Sequence, residues 1–139
     1  MSRIAIPVIV LSFALAVGCT SHGDELVDYR VSGGLTGNGD GTSLQLNTAG
    51  VGTRTSRAGG TATVTLDATA LADLNSKITA AQFSTLQPSY GCNGCADQLV
   101  YEVAVQLDGR RYEVSADSGI DVPGGLQALL ATLTQLAPP

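Results

Sequence analysis

The chain has 139 residues, 7 Lys and Arg against 12 Asp and Glu, a formal net charge of −5, no Trp and a single His. Such a length suits one domain with a core of Leu, Val, Ile and Ala. The acidic balance excludes a basic patch for nucleic acid and adhesion by charge to anionic lipid, and the lone His22 excludes a His-rich metal site and a Ser-His-Asp triad in any core.

Met1-Ser2-Arg3 is a short basic head, and residues 4–17 are an apolar run that ends at Gly18-Cys19. The run is shorter than the roughly 20 residues that span a bilayer, so it reads as a secretory signal peptide. Ala16-Val17-Gly18-Cys19 resembles the bacterial lipobox, with Ala16 where that motif usually has Leu. This resemblance implies cleavage behind Gly18 and lipid (palmitate among the acyl chains) on Cys19. The alternative is an ordinary signal peptide that ends near a Cys. Thr20, rather than Asp, follows Cys19, which resembles the outer-membrane sorting signal of enteric-type bacteria. The expected organisation is a leader at 1–18, a lipidated tether at 19–25 and a single domain at 26–139. The expected address is the bacterial cell envelope. There are three Cys; with Cys19 lipidated, Cys92 and Cys95 remain as an even pair.

Residues 26–32 (LVDYRVS) alternate loosely and predict a first strand. Ser32-Gly33-Gly34-Leu35-Thr36-Gly37 opens a glycine-dense segment that runs to Gly41. Residues 36–47 can be laid on an EF-hand loop, but Thr36 and Asn47 stand where its two end carboxylates belong, so no calcium site is expected. No Gly-Lys-Ser/Thr follows to make a phosphate loop. Residues 42–48 predict a second strand. Residues 49–60 are ambiguous, with a ragged strand about 53–57 between glycine turns, and Arg54 and Arg57 read as a solvent face. Residues 61–66 (TATVTL) are β-branched and predict a further strand.

Asp67 is a helix cap, and residues 68–80 carry Leu71, Leu74 and Ile78 on one face, with Asp73 and Lys77 paired at i, i+4 outside. Phe83 and Leu86 re-enter the core. Residues 87–97 read as an irregular loop that holds Cys92-Asn93-Gly94-Cys95. A thioredoxin-like pair needs a helix N-terminus after a strand, and zinc needs further Cys or His ligands. Neither is in place, so a disulfide closing a short loop in an oxidising compartment is expected.

The strongest local signal is at residues 98–116. Leu99, Tyr101, Val103, Val105 and Leu107 alternate with more polar neighbours, and Asp108-Gly109 supplies a type I′ turn. Folding there pairs Leu107 with Arg110, Val105 with Tyr112, Val103 with Val114 and Tyr101 with Ala116. Pro123 suits a first helical turn, and Leu126, Leu129, Leu130, Leu133 and Leu136 form a helical stripe. Glu113 and Asp117 are a conceivable acid–base pair, but surface carboxylates usually serve solvation, and no enzyme is expected.

Four segments in this order resemble the emfourin family, protein inhibitors of thermolysin-like metallopeptidases. Residues 32–37 are similar to its Ser-Gly-Gly-apolar-small-Gly segment after the first strand, and residues 66–86 to its capped helix followed by a Phe and a Leu. Residues 98–114 are similar to its hairpin and residues 123–136 to its closing leucine helix. Residues 49–60 and the Cys92/Cys95 loop elaborate the plain pattern.

The expected fold is α+β: an antiparallel sheet of four to six strands, with the hairpin central and both helices on one face. The expected core is Tyr101, Val103, Val105, Tyr112, Val114, Leu71, Leu74, Ile78, Phe83, Leu129, Leu130 and Leu133. The resemblance implies an inhibitor whose partner is a thermolysin-like metallopeptidase; its type member is not a lipoprotein, so the lipid anchor here comes from the lipobox at Cys19, and the residues themselves show no cofactor loop and no metal-ligand set. The candidate partner-binding loop is Ser32, Gly33, Gly34, Leu35, Thr36 and Gly37, followed by the segments 49–60 and 87–97. The alternative is a non-enzymatic envelope lipoprotein that acts as a structural or protein-binding module.

Overall fold

The computed structural model describes residues 24–34, 41–92 and 97–139. The leader, Cys19 and His22 lie outside the described residues, as do Leu35, Thr36, Gly37 and Cys95.

Among the described residues, seven strands form one sheet: β1 (Glu25–Gly33), β2 (Thr42–Asn47), β3 (Val51–Thr55), β4 (Thr61–Thr65), β5 (Ser89–Tyr90), β6 (Leu99–Leu107) and β7 (Arg110–Asp117). Two helices, α1 (Ala68–Ala80) and α2 (Gly124–Leu136), complete an α+β fold. The spatial order is β4-β3-β2-β1-β6-β7-β5, antiparallel throughout except where β5 runs parallel to β7. The sheet is therefore wider than the four to six strands expected. The seventh is β5, a two-residue strand inside a segment that carries no alternation. The hairpin is also not central: β1 is, with β2 on one side and β6 on the other.

Within the hairpin the register is the expected one, Leu107 opposite Arg110, Val105 opposite Tyr112, Val103 opposite Val114 and Tyr101 opposite Ala116. Asp108 and Gly109 both have positive φ, at 50° and 74°, which a type I′ turn requires. Extending this register across β1 and β2 lines up Val105, Val27 and Leu46, then Val103, Tyr29 and Leu44. Those rows make the covered face, because side chains alternate along every strand. Leu74 and Ile78 of α1 and Leu126, Leu129 and Leu133 of α2 pack on it in a single apolar cluster. Each such side chain contributes roughly 1.5–3 kcal/mol by leaving water. Eight of the expected core residues are buried; Leu71, Tyr101, Tyr112 and Leu130 are half-buried and pack against the cluster's rim.

The helices end by different means. The Asp67 carboxylate accepts from Ala70 N–H at 2.8 Å, and Lys77 pairs with Asp73 on the outer face of α1. The last turn of α2 has no basic residue; strand β3 supplies one. Arg54 Nη1 donates to the Leu136 carbonyl at 3.2 Å, which answers both an unpaired helix-end acceptor and the negative end of the helix dipole. The register puts Arg54 opposite Leu44, on the covered face. It is thus no solvent-face residue, contrary to its reading from sequence. Thr42 Oγ1 donates to the Pro138 carbonyl, and Tyr29 Oη shares a 2.8 Å bond with Thr134 Oγ1, so α2 and the tail that follows it are tied to three strands. Among the described residues, no helix is long and apolar enough to cross a membrane.

Candidate functional site

Two places outside the core concentrate chemistry: one end of the sheet, where the candidate loops meet, and the face that the helices leave open.

At the sheet end, β1 finishes in Gly33 and is followed by Gly34, both with positive φ. A Cβ on Gly33 would lie 2.5 Å from the Gln98 carbonyl oxygen, so only glycine fits where the two backbones meet. Gly34 N–H donates to that same oxygen at 3.2 Å. Arg57, at the β3–β4 turn, donates to the Gly33 carbonyl. That turn is closed by Ser56 N–H on the Gly60 carbonyl at 2.8 Å and by Gly60 N–H on Ser56 Oγ at 3.2 Å. On the other side, Cys92 N–H donates to Asp117 Oδ2 at 3.1 Å, and Leu99 N–H donates to Ser118 Oγ at 3.2 Å. The end of β1, the β3–β4 turn and the approach to β6 thus share one rim.

Of the expected partner-binding loop, Ser32, Gly33 and Gly34 belong to this rim. The remaining three, Leu35, Thr36 and Gly37, lie outside the described residues. The segment 49–60 divides. Its middle is strand β3, two residues earlier than the ragged strand expected, and only residues 56–60 reach the rim. Asn47 is committed elsewhere, its Oδ1 accepting from Ala49 and Val51 N–H. The expected Cys92–Cys95 bond involves Cys95, which is not described. Glu113 and Asp117 share a face of β7 but stand about 13 Å apart at the ordinary strand rise. With Asp117 accepting from Cys92 N–H, they do not converge as an acid–base pair.

The open face holds an ion cluster that sequence reading missed. Asp28, in the central strand, is 6% exposed although neither described helix packs on its face. Arg30 clasps it from two residues along, Nε to Oδ1 at 3.3 Å and Nη2 to Oδ2 at 3.1 Å. Gln45 Nε2 reaches Oδ2 at 3.4 Å from β2, and Arg111 Nη2 stands 3.7 Å away, from β7. Arg111 also binds Glu113 at 2.8 Å and pairs with Glu25. The hydrogen bond and charge of Asp28 raise the Arg30 pKa above its ordinary value. The Glu113 hydrogen bond raises that of Arg111, with Glu25 adding to it. Asp28, Arg30, Arg111 and Glu113 line a shallow depression of about 370 Å³ with Glu102, Ser115 and Pro88. Asp28, Glu25 and Glu113 each pair with an arginine, while Glu102 acts on Arg30 through charge alone, which is the chemistry of a polar, solvent-facing sheet surface. The signal in the sequence was the Asp28-x-Arg30 spacing on the polar side of β1. What the sequence withheld was that β2 and the β6–β7 hairpin would flank that strand and bring Gln45 and Arg111 within reach.

Compared with known proteins, the chain matches no family model and no curated protein.

Proposed function

We propose that the protein is a non-enzymatic, lipid-anchored protein of the bacterial envelope that inhibits a thermolysin-like metallopeptidase through the rim built on Gly33, Gly34, Arg57 and Cys92. The observation that carries this reading is the gathering of separate segments on one edge by the Arg57–Gly33, Gly34–Gln98 and Cys92–Asp117 bonds. Inhibitors of peptidases gain affinity from surfaces shaped before binding, because less conformational freedom is lost on contact. The resemblance of residues 32–37, 66–86, 98–114 and 123–136 to the emfourin family supplies the target class. The lipobox supplies the anchor at Cys19, and a Cys92–Cys95 disulfide would stiffen the same rim in an oxidising envelope.

The test is direct. Residues 19–139 with Cys19→Ser, which removes the lipid, are titrated into several thermolysin-like peptidases. Dose-dependent loss of peptidase activity at micromolar protein is the expected result. Full activity of every enzyme tried would leave the protein-binding envelope module as the surviving reading, and a pull-down from native envelope would then identify the partner.

A further inference from the structure

The two edges of the sheet differ. At one side the sheet ends in β5, only two residues long. At the other it ends in β4, Thr61-Ala62-Thr63-Val64-Thr65, with no charge, no Pro and no break in register against β3. Natural sheets usually blunt an edge with such features, and an edge without them is a template for another strand.

The bonding phase of β4 is fixed by its ends. Leu66 N–H donates to the Gly50 carbonyl at 2.9 Å, and Ser56 N–H donates to the Gly60 carbonyl at 2.8 Å. In an antiparallel ladder the bonded pairs come at every second residue. Ala62 and Val64 therefore exchange their backbone bonds with β3, opposite Arg54 and Gly52. Thr61, Thr63 and Thr65 turn theirs outward.

We propose that this edge binds the β4 edge of a second copy of the chain, antiparallel and centred on Thr63. The strand is its own complement in that register. Thr61 meets Thr65 of the second copy, Thr63 meets Thr63, and each pair exchanges two backbone bonds. The outward set is symmetric about Thr63, so no other centring uses all of it. The threonine side chains pair on the open face, where Thr–Thr contacts are favourable and no charge opposes them. On the covered face Ala62 meets Val64, which is only half-buried in the single copy. The contact is isologous and closes at two copies, so it does not propagate. It does not rest on the inhibitory reading of the rim, although the 56–60 turn leads directly into β4; only the choice of membrane in the test rests on the proposed anchor.

The test uses the full-length protein in its own membrane. Thr63→Cys is oxidised mildly and run without reductant beside the unaltered chain and Thr61→Cys. In the proposed register the two Thr63 Cα atoms are about 5.5 Å apart, within disulfide reach, whereas two Thr61 residues lie four positions out of step. A band at twice the monomer mass for Thr63→Cys, absent from the other two, is expected. Equal cross-linking at both positions, or none at Thr63, overturns the proposal, including the case in which another protein's strand occupies the edge. Sedimentation of the detergent-solubilised chain gives the second arm. Thr63→Pro deletes an N–H that the fold does not use, and Thr63→Lys adds a charge at the same point. Both should halve the sedimenting mass of the protein part while the thermal unfolding of the single copy persists. An unaltered chain that sediments as a monomer at tens of micromolar overturns it as well.

Discussion

The covered and open faces of the sheet are built from the same strands and are held together by different physics. On β1, Val27, Tyr29 and Val31 enter an apolar cluster with both helices, while Asp28 and Arg30 look the other way into a lattice of ion pairs. The covered face is non-directional and is worth the area it removes from water. The open face is directional and works against solvent screening. Asp28 is nearly buried while the Arg30 side chain remains 59% exposed, so much of each Coulombic contact is spent in water. The difference teaches that burial of the carboxylate alone does not make this cluster a strong stabiliser.

The contrast can be broken from the covered side with the largest effect. Leu133 is fully buried between α2 and the sheet. Leu133→Ala should cost about 2–5 kcal/mol by cavity formation, measured as a lower urea midpoint with little change in slope. On the open side, Asp28→Ala removes the acceptor shared by Arg30 and Gln45. It should cost about 1–2 kcal/mol, less than the core change, with the loss shrinking in high salt. An equal loss at both ends of the salt range would mean that the cluster acts by packing instead.

Arg54→Ala sharpens the contrast further, because here a charge acts on the covered side. Losing its bond to the Leu136 carbonyl should cost about 0.5–1.5 kcal/mol. Amide exchange should then speed up at the C-terminal end of α2 and stay unchanged in α1, whose cap is local.

The smallest expected effect is alkaline. Burial raises the Tyr29 pKa above its ordinary 10.0, against the lowering effect of its bond to Thr134. The folded state therefore holds this proton more tightly than the unfolded one. Its contribution is fully present below pH 10 and is lost as pH rises through the raised folded value. Tyr29→Phe should flatten that part of the stability-against-pH curve.

Much of the covered face was legible because its signals are local. The period of two in residues 99–107, the Asp108-Gly109 turn and the Asp67 cap each specify a geometry without help from distant chain. The helix came out at Ala68–Ala80, as its periodicity required. What escaped was every feature set by strand order. Nothing near Arg54 says that α2 will end above it. Nothing near Asp28 says that Arg111, 83 positions on, will stand 3.7 Å away. The central position of β1 is of the same kind, since pairing on both edges depends on chain far off in sequence. Part of the rim was legible too, in the glycine density that begins at Gly33, though the Gln98 carbonyl that Gly33 meets did not announce itself.

The central claim is that the rim, and not the open face, engages the peptidase. It is tested most directly by measuring inhibition of one responsive thermolysin-like peptidase by the lipid-free protein and two variants. Arg57→Ala unties the rim from Gly33, and Arg111→Ala dismantles part of the open-face cluster. The account predicts that Arg57→Ala weakens inhibition at least tenfold, a loss of about 1.4 kcal/mol, and that Arg111→Ala inhibits as the parent does. Loss of inhibition in Arg111→Ala with full inhibition by Arg57→Ala would contradict it.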